Sequence, residues 1–265
     1  MTTLPSLNQL ISLSGKRALI TGSAVGIGKA IALRFAEAGA ALDLIDIDDL
    51  ALQRTAEELA GFGGEVTIHH VDLVHKEEID ALWEKLQGIE PDILVNNAGI
   101  YPCRQFVDAD EVFYRRVMEI NLFSVHWMCQ HMICQRGKRG GVIINLGSIE
   151  AVLPFKEDLA HYSVSKAGVI ALTRALAKEH ARHGFRVNVI LPGGIMTPGT
   201  KAVARQVMNF KLDLLKTGYD FSQRLPVGRA GQPDEVARIA LVLASDLGSY
   251  VHGATIPVDG GFLAA

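Results

Sequence analysis

The segment TGSAVGIG, residues 21–28, follows the apolar run RALIT (17–21) and opens an amphipathic stretch at 26–38. Its glycines, Gly22, Gly26 and Gly28, allow a tight turn, a close approach of backbone to a ligand and close packing of a helix on a strand. The free N–H groups and positive end of such a helix suit an anion. A glycine-rich turn alone is a weak signal. Its place after the first strand of an alternating pattern gives it weight.

That alternation continues along the chain. Strands are expected at 17–21, 41–46, 66–71, 92–96, 141–147, 186–191 and 254–258, with the continuous β-branched, apolar character of strands buried on both faces. Helices are expected at 26–38, 49–60, 76–87, 111–136, 161–182 and 233–244. The pattern implies an α/β fold: a single doubly wound Rossmann-type domain, with a seven-stranded parallel sheet flanked by helices on both faces. With no composition break or linker, residues 15–265 are expected to form that domain after an N-terminal extension, 1–14. The stretch 193–224 interrupts the alternation just after a strand, where a mobile substrate cover is well placed.

Composition narrows the function. The 265 residues are 49% hydrophobic and 21% charged, enough for a full core and unlike a disordered chain. A formal charge of −3, with both signs spread along the chain, offers no electrostatic case for nucleic acid or an anionic membrane. No run of about 18 apolar residues appears, and the opening MTTLPSLNQLISLSGKR lacks the pattern of a signal peptide, so a soluble, cytoplasmic protein is expected. Cys103, Cys129 and Cys134 are too few for a disulfide scaffold. In HWMCQHMIC, His126, Cys129, His131 and Cys134 hint at metal, but four ligands on one helix cannot converge on a tetrahedral ion, and no metal is expected.

The spacing Gly-x3-Gly-x-Gly behind a threonine departs from G-x-G-x-x-G and resembles the short-chain dehydrogenase/reductase family. NNAG (96–99) ends the fourth strand, Gly147–Ser148 ends the fifth, and PGGIMT (192–197) follows the sixth. Tyr162 and Lys166 stand in HYSVSKAG (161–168), and Asn121 in MEINLF. These stations run in order over nearly the whole chain, at the carboxyl ends of strands, where doubly wound sheets bind ligands.

The resemblance implies hydride transfer between a nicotinamide cofactor and a secondary alcohol or carbonyl. It implies catalytic roles for Asn121, Ser148, Tyr162 and Lys166. It implies a dinucleotide held by Gly22, Ser23, Gly26, Ile27, Gly28, Asp46, Asp72, Leu73, Asn97, Ala98, Gly99, Tyr162, Lys166, Pro192, Gly193, Ile195 and Thr197. Asn121 would anchor a water linking Lys166 to solvent, Lys166 would also hold the nicotinamide ribose, and Thr197 the carboxamide. Asn96 would stabilise the neighbouring strand. A homotetramer or dimer is implied, through helices 111–136 and 161–182 and the terminal IPVDGGFLAA.

Residue chemistry refines this. Asp46, 18 residues past Gly28, stands where an acid accepts the ribose hydroxyls of NAD and repels a 2′-phosphate. Val25 and Ile47, where NADP-using relatives carry a base, are uncharged, so NAD is expected. Asp72 is either an adenine-contacting acid or a helix cap. Tyr162 and Lys166, four apart on a helix, lie about 6 Å apart at Cβ. A free phenol titrates at about 10, and a cation about 5 Å away is worth about 3 kcal/mol, roughly two pKa units. Lys166 and an oxidised nicotinamide are together expected to bring Tyr162 to about 7, where it serves as general acid and base. Ser148 would hold the substrate oxygen.

For the substrate, Ser148, Glu150, Tyr162 and Gly193 are the candidates. If the chain stays extended, Glu150 points with Ser148 into the pocket and suits a sugar or polyol. Otherwise it turns to solvent. Tyr101, Pro102, Leu153 and Met196 could form apolar walls that suit secondary alcohols or steroids equally. Two rivals remain. One is a 3-oxoacyl-carrier-protein reductase, docking an acidic partner on Arg115, Arg116, Arg136, Lys138 and Arg139. The other is a catalytically idle NAD-binding regulator.

Overall fold

A computed structural model describes residues 4–197 and 224–265. Its strands are β1 (Arg17–Thr21), β2 (Ala41–Asp46), β3 (Val66–His70), β4 (Ile93–Asn96), β5 (Gly141–Leu146), β6 (Phe185–Pro192) and β7 (Thr255–Val258). All pair in parallel, in the order β3-β2-β1-β4-β5-β6-β7. The order reverses between β1 and β4, which opens a crevice above their carboxyl ends.

The helices are α1 (Leu7–Ile11), α2 (Gly26–Glu37), α3 (Asp49–Leu59), α4 (Lys76–Lys85), α5 (Glu111–Met118), α6 (Ser124–Arg136), α7 (Ala160–His180) and α8 (Pro233–Ala244). Successive strand residues feed opposite layers. Ala18 and Ile20 of β1 pack with Ile31 and Phe35 of α2 and Val236 and Leu241 of α8. Leu19 packs on the other face with Trp83 of α4, Met128 of α6 and Val169 of α7. Both faces of the sheet are thus covered, as the continuously apolar strands required.

Three expectations change in detail. The helix expected over 111–136 is α5 and α6 joined by a π-helical turn, Glu119–Phe123, which contains Asn121. The stretch before residue 15 does not stand apart: Leu13 is buried and its N–H donates to the Ala38 carbonyl at 2.8 Å. β3 departs from the buried-strand pattern because it is an edge, and Ile68 is exposed. The cover expected at 193–224 lies, from 198 to 223, outside the described residues.

Candidate active site

β1 ends at Thr21, and the chain turns through Gly22 (φ 63°) and Gly26 (φ 62°), a left-handed conformation that favours glycine. A Cβ on Gly22 would lie 2.9 Å from Ala98 Cα, and one on Gly28 would collide with the Gly22 carbonyl oxygen. Helix α2 then starts with no side-chain cap, leaving its first N–H groups free for an anion. Thr21 Oγ1 accepts from the Asn97 and Ala98 N–H groups, both at 3.0 Å, while Asn97 Nδ2 donates to the Thr21 and Gly22 carbonyls. These bonds stitch the ends of β1 and β4 together beneath the crevice.

A cavity of about 370 Å³ sits there. Gly22, Gly26, Ile27, Asp46, Asp72, Leu73, Asn97, Ala98, Gly99 and Thr197 line it, with the apolar Val25 and Ile47. Asp46 Oδ2 accepts from the Ala24 N–H at 3.0 Å and Oδ1 from the Ile47 N–H at 2.8 Å, which holds the carboxylate between the glycine turn and the end of β2. Asp72 Oδ1 accepts from the Val74 N–H at 3.0 Å, so it caps a turn and lines the cavity together. The uncapped helix, the glycine cradle and Asp46 fit a dinucleotide. Ser23, expected in this set, is buried and spends its hydroxyl on the Ile45 carbonyl at 3.1 Å, away from the cavity. Gly28 acts through packing rather than lining. Arg116 lines the cavity too. Sequence reading placed it only in a docking patch, and its one signal was a position on the helix leading to Asn121.

A second cavity, of about 280 Å³, shares Ile27, Asn97, Gly99, Tyr101 and Thr197 with the first and extends over β5 and β6. It brings together Ser148, Glu150, Tyr162, Lys166, Pro192, Gly193 and Ile195. Ser148 ends β5 and caps a 3₁₀ turn, Ile149–Ala151. Its Oγ accepts from the Glu150 N–H at 3.2 Å, and its side chain is hydrogen-bonded with the Tyr162 phenol. Tyr162 lies in the first turn of α7 and Lys166 one turn on, buried, with Nζ donating to the Leu146 carbonyl at 2.8 Å. A Cβ on Gly99 would lie 3.3 Å from both Asn121 Oδ1 and Lys166 Nζ, so only glycine lets the three groups meet unhindered.

Asn121 is fully buried. Its Oδ1 accepts from the Ile100 N–H at 2.8 Å, and its Nδ2 donates to the Ile100 carbonyl at 2.8 Å and to Ser165 Oγ at 3.1 Å. Both side-chain donors are therefore committed to the protein, and the water-anchoring expectation is left with the second Oδ1 lone pair and the π-turn backbone. Asn96 Nδ2 donates to Asn145 Oδ1 at 2.9 Å across β4 and β5, the strand-stabilising place expected for it.

The protein's own groups do not by themselves lower the Tyr162 phenol. Burial pushes the phenol up to about 12, with the Ser148 hydrogen bond working against it and Glu150 and Tyr101 adding to it. Burial also pulls the Lys166 ammonium down to about 8. Desolvation is the first cause of both shifts.

Glu150 is buried, not turned to solvent, and a 3₁₀ turn rather than an extended chain aims it. Tyr101, Phe155, Leu159 and Leu146 form the apolar walls; Pro102, Leu153 and Met196 are not among the lining residues. The histidines and cysteines of α6 diverge. His131 Nε2 meets Asp80 at 2.7 Å and stacks on Trp83, while Cys129 takes the Asn96 amide, and burial lifts its thiol to about 12. Among the described residues no helix is long and apolar enough to cross a membrane.

Residues 22–263 match the family described as Enoyl-(Acyl carrier protein) reductase. The chain is 39% identical to the 3-oxoacyl-[acyl-carrier-protein] reductase FabG of Chlamydia pneumoniae, over 95% of this chain and 98% of that protein. It is 38% identical to the galactitol 2-dehydrogenase (L-tagatose-forming) of Cereibacter sphaeroides, over 94% and 96%. Among solved structures, a short-chain type dehydrogenase/reductase from Mycobacterium marinum superposes with a TM-score of 0.88 at 34% identity, over 98% and 100%.

Proposed function

The chain belongs to the short-chain dehydrogenase/reductase family, oxidoreductases of alcohols and carbonyls that bind a nicotinamide cofactor, and from that premise we propose that it uses NAD(H) and takes a small hydroxyl-rich secondary alcohol or its ketone. The observation that carries the reaction is the convergence of Ser148, Tyr162 and Lys166 on a cavity continuous with the dinucleotide crevice.

In the oxidative direction the Ser148 hydroxyl holds the substrate oxygen, and Tyr162 Oη takes the alcohol proton as the hydride departs. A bound oxidised nicotinamide would supply the hydride acceptor and a positive charge. That charge matters because the protein's own groups hold Tyr162 at about 12. Lys166, below about pH 8, adds its ammonium to steady the phenolate. Asn121 braces the backbone at Ile100 and, through Ser165, the helix that presents both.

Asp46 supports NAD. A 2′-phosphate beside a carboxylate at roughly 5 Å, with an effective dielectric of about 20, costs about 3 kcal/mol before solvent screening. Exposed apolar side chains on α5 and α7, Val112 and Val164, with Phe123 between α5 and α6, support self-association as a dimer or tetramer.

The resemblance to FabG favours a second reading, an acyl-carrier-protein substrate. Its docking patch is not continuous, however. Arg136 is half-buried and pairs with Asp92, Arg115 pairs with Glu111 and Arg139 with Glu90. Arg116 lies about 30 Å along the helix from Arg136. A screen of NAD⁺ and NADP⁺ against polyols, sugars, apolar secondary alcohols and hydroxysteroids, with a 3-oxoacyl thioester in reverse, separates the readings. NAD⁺-linked oxidation of polyols is expected. A clear NADP⁺ preference removes the cofactor reading, and thioester reduction above all else removes the substrate reading.

A further inference from the structure

Among the described residues, five buried side-chain polar atoms lack a hydrogen-bond partner, and two of these belong to residues lining the substrate cavity: Glu150 Oε2 and Tyr101 Oη. Glu150 is held in place by its other oxygen, which accepts from the Phe155 and Lys156 N–H groups at 3.3 and 3.4 Å. Tyr101 packs edge-on against Tyr162, their ring centroids 6.1 Å apart. A buried acceptor left unmet is costly, and folding the loop required only one oxygen of this carboxylate. The other has no partner in the protein, at a residue that lines the cavity.

We propose that Glu150 Oε2 and Tyr101 Oη bind a second hydroxyl of the substrate, on the carbon next to the reacting carbinol, so that the enzyme selects neutral vicinal diols and the matching hydroxyketones. The proposal rests on the dehydrogenase reading above. Adjacency is argued from Glu150 standing two residues beyond Ser148, with its N–H donating to Ser148 Oγ at 3.2 Å. Neutrality follows from the charges at hand. An anionic hydroxy acid meets the Glu150 carboxylate, while an amino alcohol meets Lys156, which lines the same cavity and whose charge already acts on Glu150. A hydroxyl donates to the carboxylate and accepts from the phenol, meeting both unmatched groups without adding charge.

The test compares kcat/KM, with NAD⁺, for a four-carbon vicinal diol, the mono-alcohol, the amino alcohol and the hydroxy acid of the same skeleton. The diol is expected to exceed the mono-alcohol by about 100-fold, the discrimination of a hydrogen bond to a buried charged group. Glu150→Gln keeps one oxygen for the two loop N–H groups and turns the other into a donor. It should cut the diol preference at least about tenfold, through KM, with the melting temperature retained. Tyr101→Phe removes only the unmatched hydroxyl. It should cut the preference about threefold and raise the melting temperature. Equal use of diol and mono-alcohol, a diol preference untouched in both variants, or a preference for the amino alcohol or hydroxy acid overturns the proposal while leaving a working dehydrogenase. Failure to oxidise any alcohol with either dinucleotide overturns the dehydrogenase reading and this proposal with it.

Discussion

At the β1–β4 end of the crevice Asp46, Asn97 and Ser23 are bonded to the protein itself. Asp46 holds three backbone N–H groups, Asn97 holds two carbonyls, and Ser23 is committed to Ile45. At the β5–β6 end, Glu150 and Tyr101 each keep an unmatched atom, and Tyr162 and Lys166 titrate far from their usual values. The first end is a finished scaffold for a ligand with a fixed shape. The second holds desolvated groups, and on the reading proposed above it is where reaction and selectivity are settled.

The sharpest way to break this contrast is Tyr162→Phe. If the β5–β6 end carries the chemistry and the other end the cofactor, turnover should fall about a thousandfold or more while NADH affinity, read by fluorescence titration, stays within about twofold. Parallel loss of both would mean that the two ends are not separable.

Lys166→Met probes the buried charge through stability. A lysine that titrates at about 8 when folded and 10.5 when unfolded is a burden below pH 8. Between about pH 8 and 10 the unfolded chain binds the proton that the folded chain has released, so stability rises with pH by roughly 2 kcal/mol. Above that, the raised Tyr162 phenol works the other way, since the folded chain keeps a proton that the unfolded chain loses. Chemical unfolding at a series of pH values should show the rise in the wild type and its loss in Lys166→Met, together with higher stability at neutral pH and slower turnover. A flat wild-type profile would mean that the ammonium is solvated.

The smallest expected effect belongs to the scaffold end. Asp46→Asn removes the charge and keeps the shape, and should reduce the NAD⁺ over NADP⁺ preference about tenfold, read as a kcat/KM ratio. No change would place the discrimination elsewhere in the crevice, Arg116 being the first candidate.

The scaffold end was also the more legible one. RALIT, LIDID and NNAG sit at strand ends, and the glycine turn advertises itself by spacing, so β1, β2, α2 and Asp46 were readable to within a residue or two. Ser23 was misplaced because the motif reports the turn, not which way each side chain within it faces. At the other end Ser148, Tyr162 and Lys166 were readable as a trio, but Arg116 was not readable as a cavity residue. Nor was the aim of Glu150, since the 3₁₀ turn that directs it depends on a loop folding back at Phe155 and Lys156.

Periodicity and punctuation are local, so the sequence by itself determined the alternating fold, the strand ends that border the cavities and the residues proposed to react there. Protonation and unmet hydrogen bonds are not local. Only the tertiary structure decided that burial sets the titration of Tyr162 and Lys166 and that Glu150 is buried, because desolvation depends on how elements distant in the chain close around each group.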